Sequence, residues 1–223
     1  MMTLLFRLVG PMQSWGTQSR FTVRDAGREP SKSGVVGMLC AALGRPRAAP
    51  VDDLAALRMG VRVDQEGSVR VDYQTAGGSH RRGDDYGVVT AEGKRGGTVV
   101  SSRYYLSDAS FLVGLEGADA AQEELLRQLD AALASPIWPL FLGRKAFVPA
   151  LPVRLPGEPP LGPGLREGPL EDTLLSYPWS DSKAGAGGRL RLVVDAEPGS
   201  TAEVRADVPL SFAEGRRRFA TRS

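Results

Sequence analysis

Catalysis in this chain would have to work with very few of the usual reagents. Among 223 residues there is one histidine, His80, and one cysteine, Cys40. Neither a Cys/His zinc site nor a Cys–His nucleophile pair can be assembled from them. His80 sits in a Gly- and Arg-rich stretch where nothing fixes it beside a partner for acid–base cleavage. Asp84 and Asp85 are adjacent on the same stretch and lack the rigid supporting ligands a metal needs. No GxSxG elbow, CxxC pair or strand-following GxGxxG is present. Tyr104, Tyr105, Tyr177 and Lys145 are of the kinds used in metal-free RNA cleavage, and spacing leaves open whether they meet. The expectation is a chain without catalytic residues, metal or cofactor.

Binding chemistry is better supplied. Basic residues comprise 24 Arg and only 4 Lys, for a net charge of +2. Arginine offers a planar fork to phosphate and a face for stacking, although a GC-rich genome also favours it. Residues 1–50 carry seven basic and two acidic side chains, residues 205–223 five and two, and residues 119–135 one and four. Segregation of this kind can give a nearly neutral protein one basic face. The segment GPMQSWG at 10–16 places Met12, Gln13, Ser14 and Trp15 between glycines, where the backbone can approach a ligand and an indole can stack on a base. The same residues fit a tight turn with Trp15 as a core plug. The segment PSKSGVVG at 30–37 opens a helix, and a helix N-terminus with Lys32, Ser33 and Gly34 attracts phosphate. An ordinary capped helix start fits equally well, with Ser33 as the cap. Arg144 and Lys145 beside Gly143 could border a phosphate backbone, or form a solvated turn. Arg216–Arg218 reads as a basic tail or a solvated helix end.

The elements that must position these groups follow from periodicity. Thr3–Val9 reads as a strand ending at Gly10-Pro11, and Gly34–Leu43 as a helix stopped by Gly44. Segments 59–65 and 68–74 alternate around Glu66-Gly67 and read as a hairpin. Residues 76–102 hold seven glycines, four basic residues and three acids. They cannot form a core, and between strand-like arms at 68–75 and 98–106 they read as a projecting hairpin. Ala109–Leu115 is a strand, 119–134 an amphipathic helix and 146–151 a further strand. An irregular Pro-rich connector follows, and segments 189–196 and 202–210 read as a closing hairpin. Apart from the insert, the order to residue 151 is β-α-β-β-α-β, an α+β ferredoxin-like arrangement shared with RNA-recognition domains. The expected organisation is a ferredoxin-like domain at 1–149 and a small β-rich C-terminal region at 150–223. No run approaches 18 apolar residues, the start is not a convincing signal peptide, and one cysteine fits a reducing compartment. A cytoplasmic location follows.

Five stretches carry a family resemblance: GPMQSWG at 10–16, PSKSGVVGMLCAALG at 30–44, YYLSDASFLVGLEG at 104–117, PIWPLFLGRKAFVP at 136–149 and, more loosely, DVPLSFAEGRRRFATR at 207–222. The chain resembles the CasD subunits of type I-E CRISPR surveillance complexes (Cascade), within the repeat-associated RNA-binding (RAMP) superfamily. The resemblance implies a non-catalytic subunit that grips the 5′ handle of the guide RNA (crRNA). It implies contacts with a CasC-type backbone subunit and a CasA-type large subunit, and with target DNA only through the assembled complex. It places Met12, Gln13, Ser14, Trp15 and Arg20 against the RNA, Lys32, Ser33 and Gly34 on phosphates, Arg103 and Tyr104 at the root of a protruding thumb, and Arg144 and Lys145 at the groove edge. Arg81, Arg82, Lys94 and Arg95 would be the thumb's charges. Related subunits of another CRISPR subtype cleave repeat RNA without metal, which is the alternative. An RNA-recognition-like module outside CRISPR is a third possibility.

Overall fold

The computed structural model describes residues 1–17, 22–77, 88–89, 97–156, 163–179, 190–196, 202–213 and 217–223. The chain is a mixed α+β protein built on one long strand, β5 (Thr98–Gly117). On one edge β5 pairs antiparallel with β1 (Met2–Gln13), from Met2↔Gly117 to Gln13↔Leu106. Gly10-Pro11 therefore does not end β1: pairing resumes beyond it at Met12↔Ser107. Proline has no N–H to contribute, and one unpaired position suffices to absorb it. A two-residue strand, β2 (Val23–Arg24), lies parallel to β5 at Ser102 and Arg103.

The other edge of β5 takes two strands in succession. β3 (Arg58–Gln65) pairs with residues 110–116, and β4 (Ser68–Gly77) with residues 98–107. The expected hairpin between 59–65 and 68–74 is thus absent. The two segments are consecutive parts of one arm, both antiparallel to β5, interrupted where Gly67 (φ 70) faces Asp108 (φ 58). Alternation marked both strands correctly and said nothing about their partner. Below this irregularity β5 is interior. Above it, β4 and β5 continue as a ribbon, flanked by β1 as far as Leu106 and by β2 at Ser102 and Arg103, whose β4 side is exposed over almost its whole length. Ten residues at ~3.3 Å each give the ribbon a reach of about 33 Å. Most of its tip lies outside the described residues, with His80, Asp84, Asp85, Arg81, Arg82, Lys94 and Arg95; so does Arg20.

The sheet runs β6-β1-β5-β3-β7, with β6 (Leu165–Glu167) on β1 and β7 (Arg191–Val194) on β3. The strand expected at 146–151 is not formed; that segment is irregular, and β6 takes the edge of β1 instead. On one face, α1 (Lys32–Leu43) and α3 (Ala120–Ala134) cover Leu4, Phe6, Leu8, Val61, Phe111 and Val113. α3 has the apolar stripe read from its sequence: Leu125, Leu126, Leu129 and Leu133 are buried, and Asp119 caps its N-terminus. A short α2 (Asp52–Ala55) follows α1. On the opposite face α4 (Leu170–Ser176) packs over Leu5 and Leu112. It can sit that close because Gly60 and Gly114 face each other beneath it. A Cβ on either would stand 2.7 or 2.6 Å from Leu174 or Leu170. Phe212 lies over Gly37 of α1.

Beyond residue 150, β6 and β7 join this sheet and α4 packs on it, while the last two strands form a separate two-stranded sheet. The expected closing hairpin is not formed, since β7 pairs with β3 while β8 (Arg205–Ser211) pairs with β9 (Arg218–Arg222). The end of the chain is not a free basic tail. Arg222 donates to both oxygens of Asp207, at 2.7 and 3.0 Å, and to Asp195, which also accepts from Lys32 Nζ at 2.8 Å. Asp207 further accepts the backbone N–H of Lys32, and Asp195 that of Met59. Four buried charges thereby join α1, β3, β7, β8 and β9. Burial alone would raise the Asp207 carboxyl. The Arg222 guanidinium and the Lys32 N–H outweigh it and hold the group below its ordinary range.

Removing one member of such a cluster leaves the others uncompensated. Arg222→Ala should cost about 3–5 kcal/mol in denaturant unfolding at neutral pH. Because the folded-state pKa of Asp207 is depressed, its stabilisation is present above the unfolded value of about 3.9 and lost as pH falls through the folded value. Unfolding free energy measured against pH should fall below about pH 4 in the wild type, and less steeply in Asp207→Asn.

Candidate nucleic-acid interface

The two N-terminal motifs do meet, but as an interior joint. Trp15 is 1% exposed and packs against Gly34, where a Cβ would stand 2.8 Å from the indole. Its Nε1 donates to Gln13 Oε1 at 3.1 Å. Gln13, itself fully buried, donates to the carbonyls of Leu8 and Ala109 at 3.1 and 2.8 Å. The Trp15 carbonyl accepts from Gly27 N–H. A stacking Trp15 and a base-reading Gln13 are therefore corrected: the indole has no free face, and the amide is saturated by backbone. Met12 packs against the same core, and Ser14 donates to the Tyr104 carbonyl at 3.2 Å.

The helix start is corrected in the same way. α1 begins at Lys32, and its cap is Ser31, which accepts from Gly34 N–H; Ser33 is half-buried beside it. A helix N-terminus favours an anion, and here that anion is the chain's own Asp207 carboxylate. Lys32, 6% exposed, is used by Asp195. Neither is available to a phosphate.

A cleft of about 350 Å³ opens to solvent at the root of the ribbon, lined by Ser14, Gly16, Arg24, Asp25, Arg103, Gly143 and Arg144. Four segments build it. β1 delivers Ser14 and Gly16 at its exit. β2 brings Arg24 alongside Arg103 by parallel pairing, and β5 presents Arg103 at the point where it leaves the sheet. The loop after α3 carries Gly143 and Arg144. That loop is pressed on the β1 exit: Ser14 N–H donates to Leu142 O, and a Cβ on Gly143 (φ 90) would fall 1.8 Å from the Ser14 carbonyl. Only glycine fits there, and its neighbour is thereby aimed into the cleft.

Arg144 is the most constrained of the three guanidinium groups. Nη2 donates to the Tyr104 carbonyl at 2.8 Å, and the group lies 5.5 Å over the Phe147 ring. Nη1 is buried with no hydrogen-bond partner among the described residues. Burial, then the charge of Arg103 and of Arg24, push its pKa down, against the opposing pull of Asp72 and Asp25. Arg103 is held by a 3.1 Å bond to the Ser101 hydroxyl and faces Asp72 across the ribbon. Neighbouring strand residues point to opposite faces, so the exposed Tyr104 ring lies on the other side of the ribbon from Arg103. Only its carbonyl serves the cleft. Lys145 is exposed beside it.

Sequence reasoning named Arg103 and Arg144 but missed Arg24 and Asp25. Their place follows from a two-residue parallel pairing that leaves no periodic signal. The tyrosines do not assemble: Tyr105 packs on Phe147, while Tyr177 lies with α4 on the far face of the sheet. Among the described residues no group of three or more His, Cys, Asp or Glu could hold a metal, and no helix is long and apolar enough to cross a membrane. Since Trp15 is a core residue, Trp15→Ala should lower unfolding free energy by about 3–5 kcal/mol. Trp15→Phe should cost about 1–3 kcal/mol through the orphaned Gln13 oxygen. Full stability in the alanine variant would refute the interior role.

The family model described as "CRISPR-associated protein (Cas_Cas5)" matches residues 3–223. The chain is 34% identical over 158 residues to the "CRISPR system Cascade subunit CasD" of Escherichia coli (strain K12). That match spans 64% of this chain and 65% of the relative, just under two thirds of its length. A solved structure titled "Crystal structure of Cas protein" is 45% identical with a TM-score of 0.70, covering 99% of this chain and 91% of that one. A chain of a "CRISPR RNA-guided surveillance complex" is 36% identical with a TM-score of 0.76, covering 99% and 87%. With a family model matched over nearly its whole length, and the same fold in relatives of more than a third identity, the chain belongs to the Cas5 family of CRISPR-associated proteins.

Proposed function

We propose that this chain is the subunit of a type I-E CRISPR surveillance complex that binds the 5′ handle of the guide RNA, and that it is not a nuclease. The observation that carries the reading is the convergence of Arg24, Arg103 and Arg144 where the ribbon leaves the sheet. A cationic cleft beside a projecting ribbon suits an unpaired, bent RNA strand, since single strands are held by their phosphates and read by their splayed bases. The sheet order β6-β1-β5-β3, with α1 and α3 on one face, supports a ferredoxin-like reading of the fold. The ribbon is two-faced. Val69, Val71, Tyr73 and Val100 are exposed on one side, while Arg103 and Asp72 occupy the other. The apolar side suits contact with a CasC-type backbone subunit and the polar side suits RNA. A CasA-type large subunit would be the further protein neighbour, target DNA would be met through the assembled complex, and the site of action would be the cytoplasm.

Fluorescence anisotropy with a labelled handle RNA and a scrambled RNA of equal length tests this. Handle RNA should bind more tightly. Neutralising about four to six phosphates should give a log–log salt slope of roughly −3 to −4. Equal affinity for both RNAs would sink the handle assignment. Clean metal-free cleavage of a full repeat at the handle boundary would make the chain an endoribonuclease instead.

A further inference from the structure

We propose that the cleft is a single-phosphodiester site: Arg24, Arg103 and Arg144 together hold one internal, singly charged phosphate of the bound RNA. The RNA-binding reading above supplies the source of that phosphate; the site itself stands on its own geometry.

The argument begins with Arg144. A buried guanidinium N–H without a partner is costly, and Nη1 is in that state while its sister nitrogen is committed to the Tyr104 carbonyl. Two further arginines act on it electrostatically and make its charge harder to keep. An oxyanion in the cleft supplies the missing acceptor and the missing countercharge at once. Among the described residues no carboxylate does so: Asp25 and Asp72 act on Arg144 in the stabilising direction, yet Nη1 has no partner there.

The charge count selects the kind of phosphate. Counted with Arg144 itself, the charges that act on it are three guanidinium groups and two carboxylates, Asp25 and Asp72, an excess of one positive charge around this group. A phosphodiester carries one negative charge and balances it. A terminal phosphomonoester, close to doubly charged at neutral pH, would leave an excess negative charge facing the two carboxylates. Size agrees: about 350 Å³ admits a phosphate with its flanking sugar carbons, and Gly16 and Gly143 contribute no side chain to obstruct the strand. The planar fork of arginine also makes the site distinct from a diffuse basic patch.

Two experiments on the full chain decide it. In the first, thermal melting is followed with dimethyl phosphate, with inorganic phosphate at about pH 8, and with chloride at matched ionic strength. Dimethyl phosphate should raise the melting temperature saturably in the wild type. The shift should vanish in Arg103→Gln, whose one described side-chain bond is to Ser101, and in Arg144→Gln. No saturable shift overturns the site. A larger shift with inorganic phosphate than with the diester overturns the diester assignment.

In the second, a neutral methylphosphonate linkage is moved along the handle RNA one position at a time. One position should weaken binding about tenfold, and that penalty should disappear in Arg103→Gln, whose salt slope should shrink by about 0.7. Equal penalties at every position, unchanged by the substitution, overturn the proposal. If wild-type protein fails to prefer handle RNA over scrambled RNA, the RNA reading fails, and the melting experiment alone passes judgement on the cleft.

Discussion

Nearly every feature of the molecule is referred to the register of β5. This strand belongs to two environments: residues 109–117 are the largely buried middle of the sheet, and residues 98–107 are half of a ribbon that is more exposed, with Ser101 and Leu106 still buried. Register in the buried half is set by which side chains must face α1 and α3 and which must face α4. A slip of one residue would carry Phe111 and Val113 to the wrong face. Because the strand is continuous, that constraint reaches the exposed half. It determines that Arg103 emerges toward the β1 exit while Tyr104 emerges on the opposite side. The cleft is therefore positioned by core packing some residues away, which places a functional group on a rigid element although the ribbon itself has little core of its own.

The second constraint is what buried charge demands. The N-terminus of α1 attracts an anion, and the chain meets that demand internally with Asp207. The meeting draws in Arg222, Asp195 and Lys32, so that the last strand closes the structure from the far end of the sequence. Glu29 plays a comparable part nearby: burial would raise its carboxyl, but Arg191 and Arg205 outweigh that and keep it depressed. Several basic residues that look available in one dimension are thus structural cations. The net charge of a segment overstates the charge it can offer to a ligand.

This explains which parts of the fold were legible in the sequence. Elements with strong local periodicity were: α3 falls where its leucines recur, and α1 stops at Gly44 as read. Pairing was not, because alternation identifies a strand without naming its neighbour. Hence β3 and β4 were misread as a hairpin, and β7 and β8 likewise. The short elements β2, β6, α2 and α4 carry too few residues to show a period. At the site, the residue types at 10–16 allowed either a ligand-stacking indole or a core plug, and only tertiary packing distinguishes them. Arg103 and Arg144 were legible as charges beside glycine or at an arm's root. Arg24 was not, since its role comes from lying next to Arg103 in space.

The contrast between Lys32 and Arg144 shows how the fold separates structural from available charge. Both sit beside motifs that read as phosphate-binding. Lys32 enters the interior on a helix and finds Asp195 at 2.8 Å, so its desolvation is matched by a full opposite charge. Arg144 leaves the interior on a loop that Gly143 packs against the Ser14 carbonyl, with one carbonyl, one ring face, two like charges and the opposing pull of Asp72 and Asp25. A flexible loop would relax by turning the guanidinium to water. Gly143, where any side chain would fall 1.8 Å from the Ser14 carbonyl, lets the loop backbone pack directly on the β1 exit. If the cleft takes an anion, guanidinium groups gathered before it arrives leave less reorganisation to oppose binding.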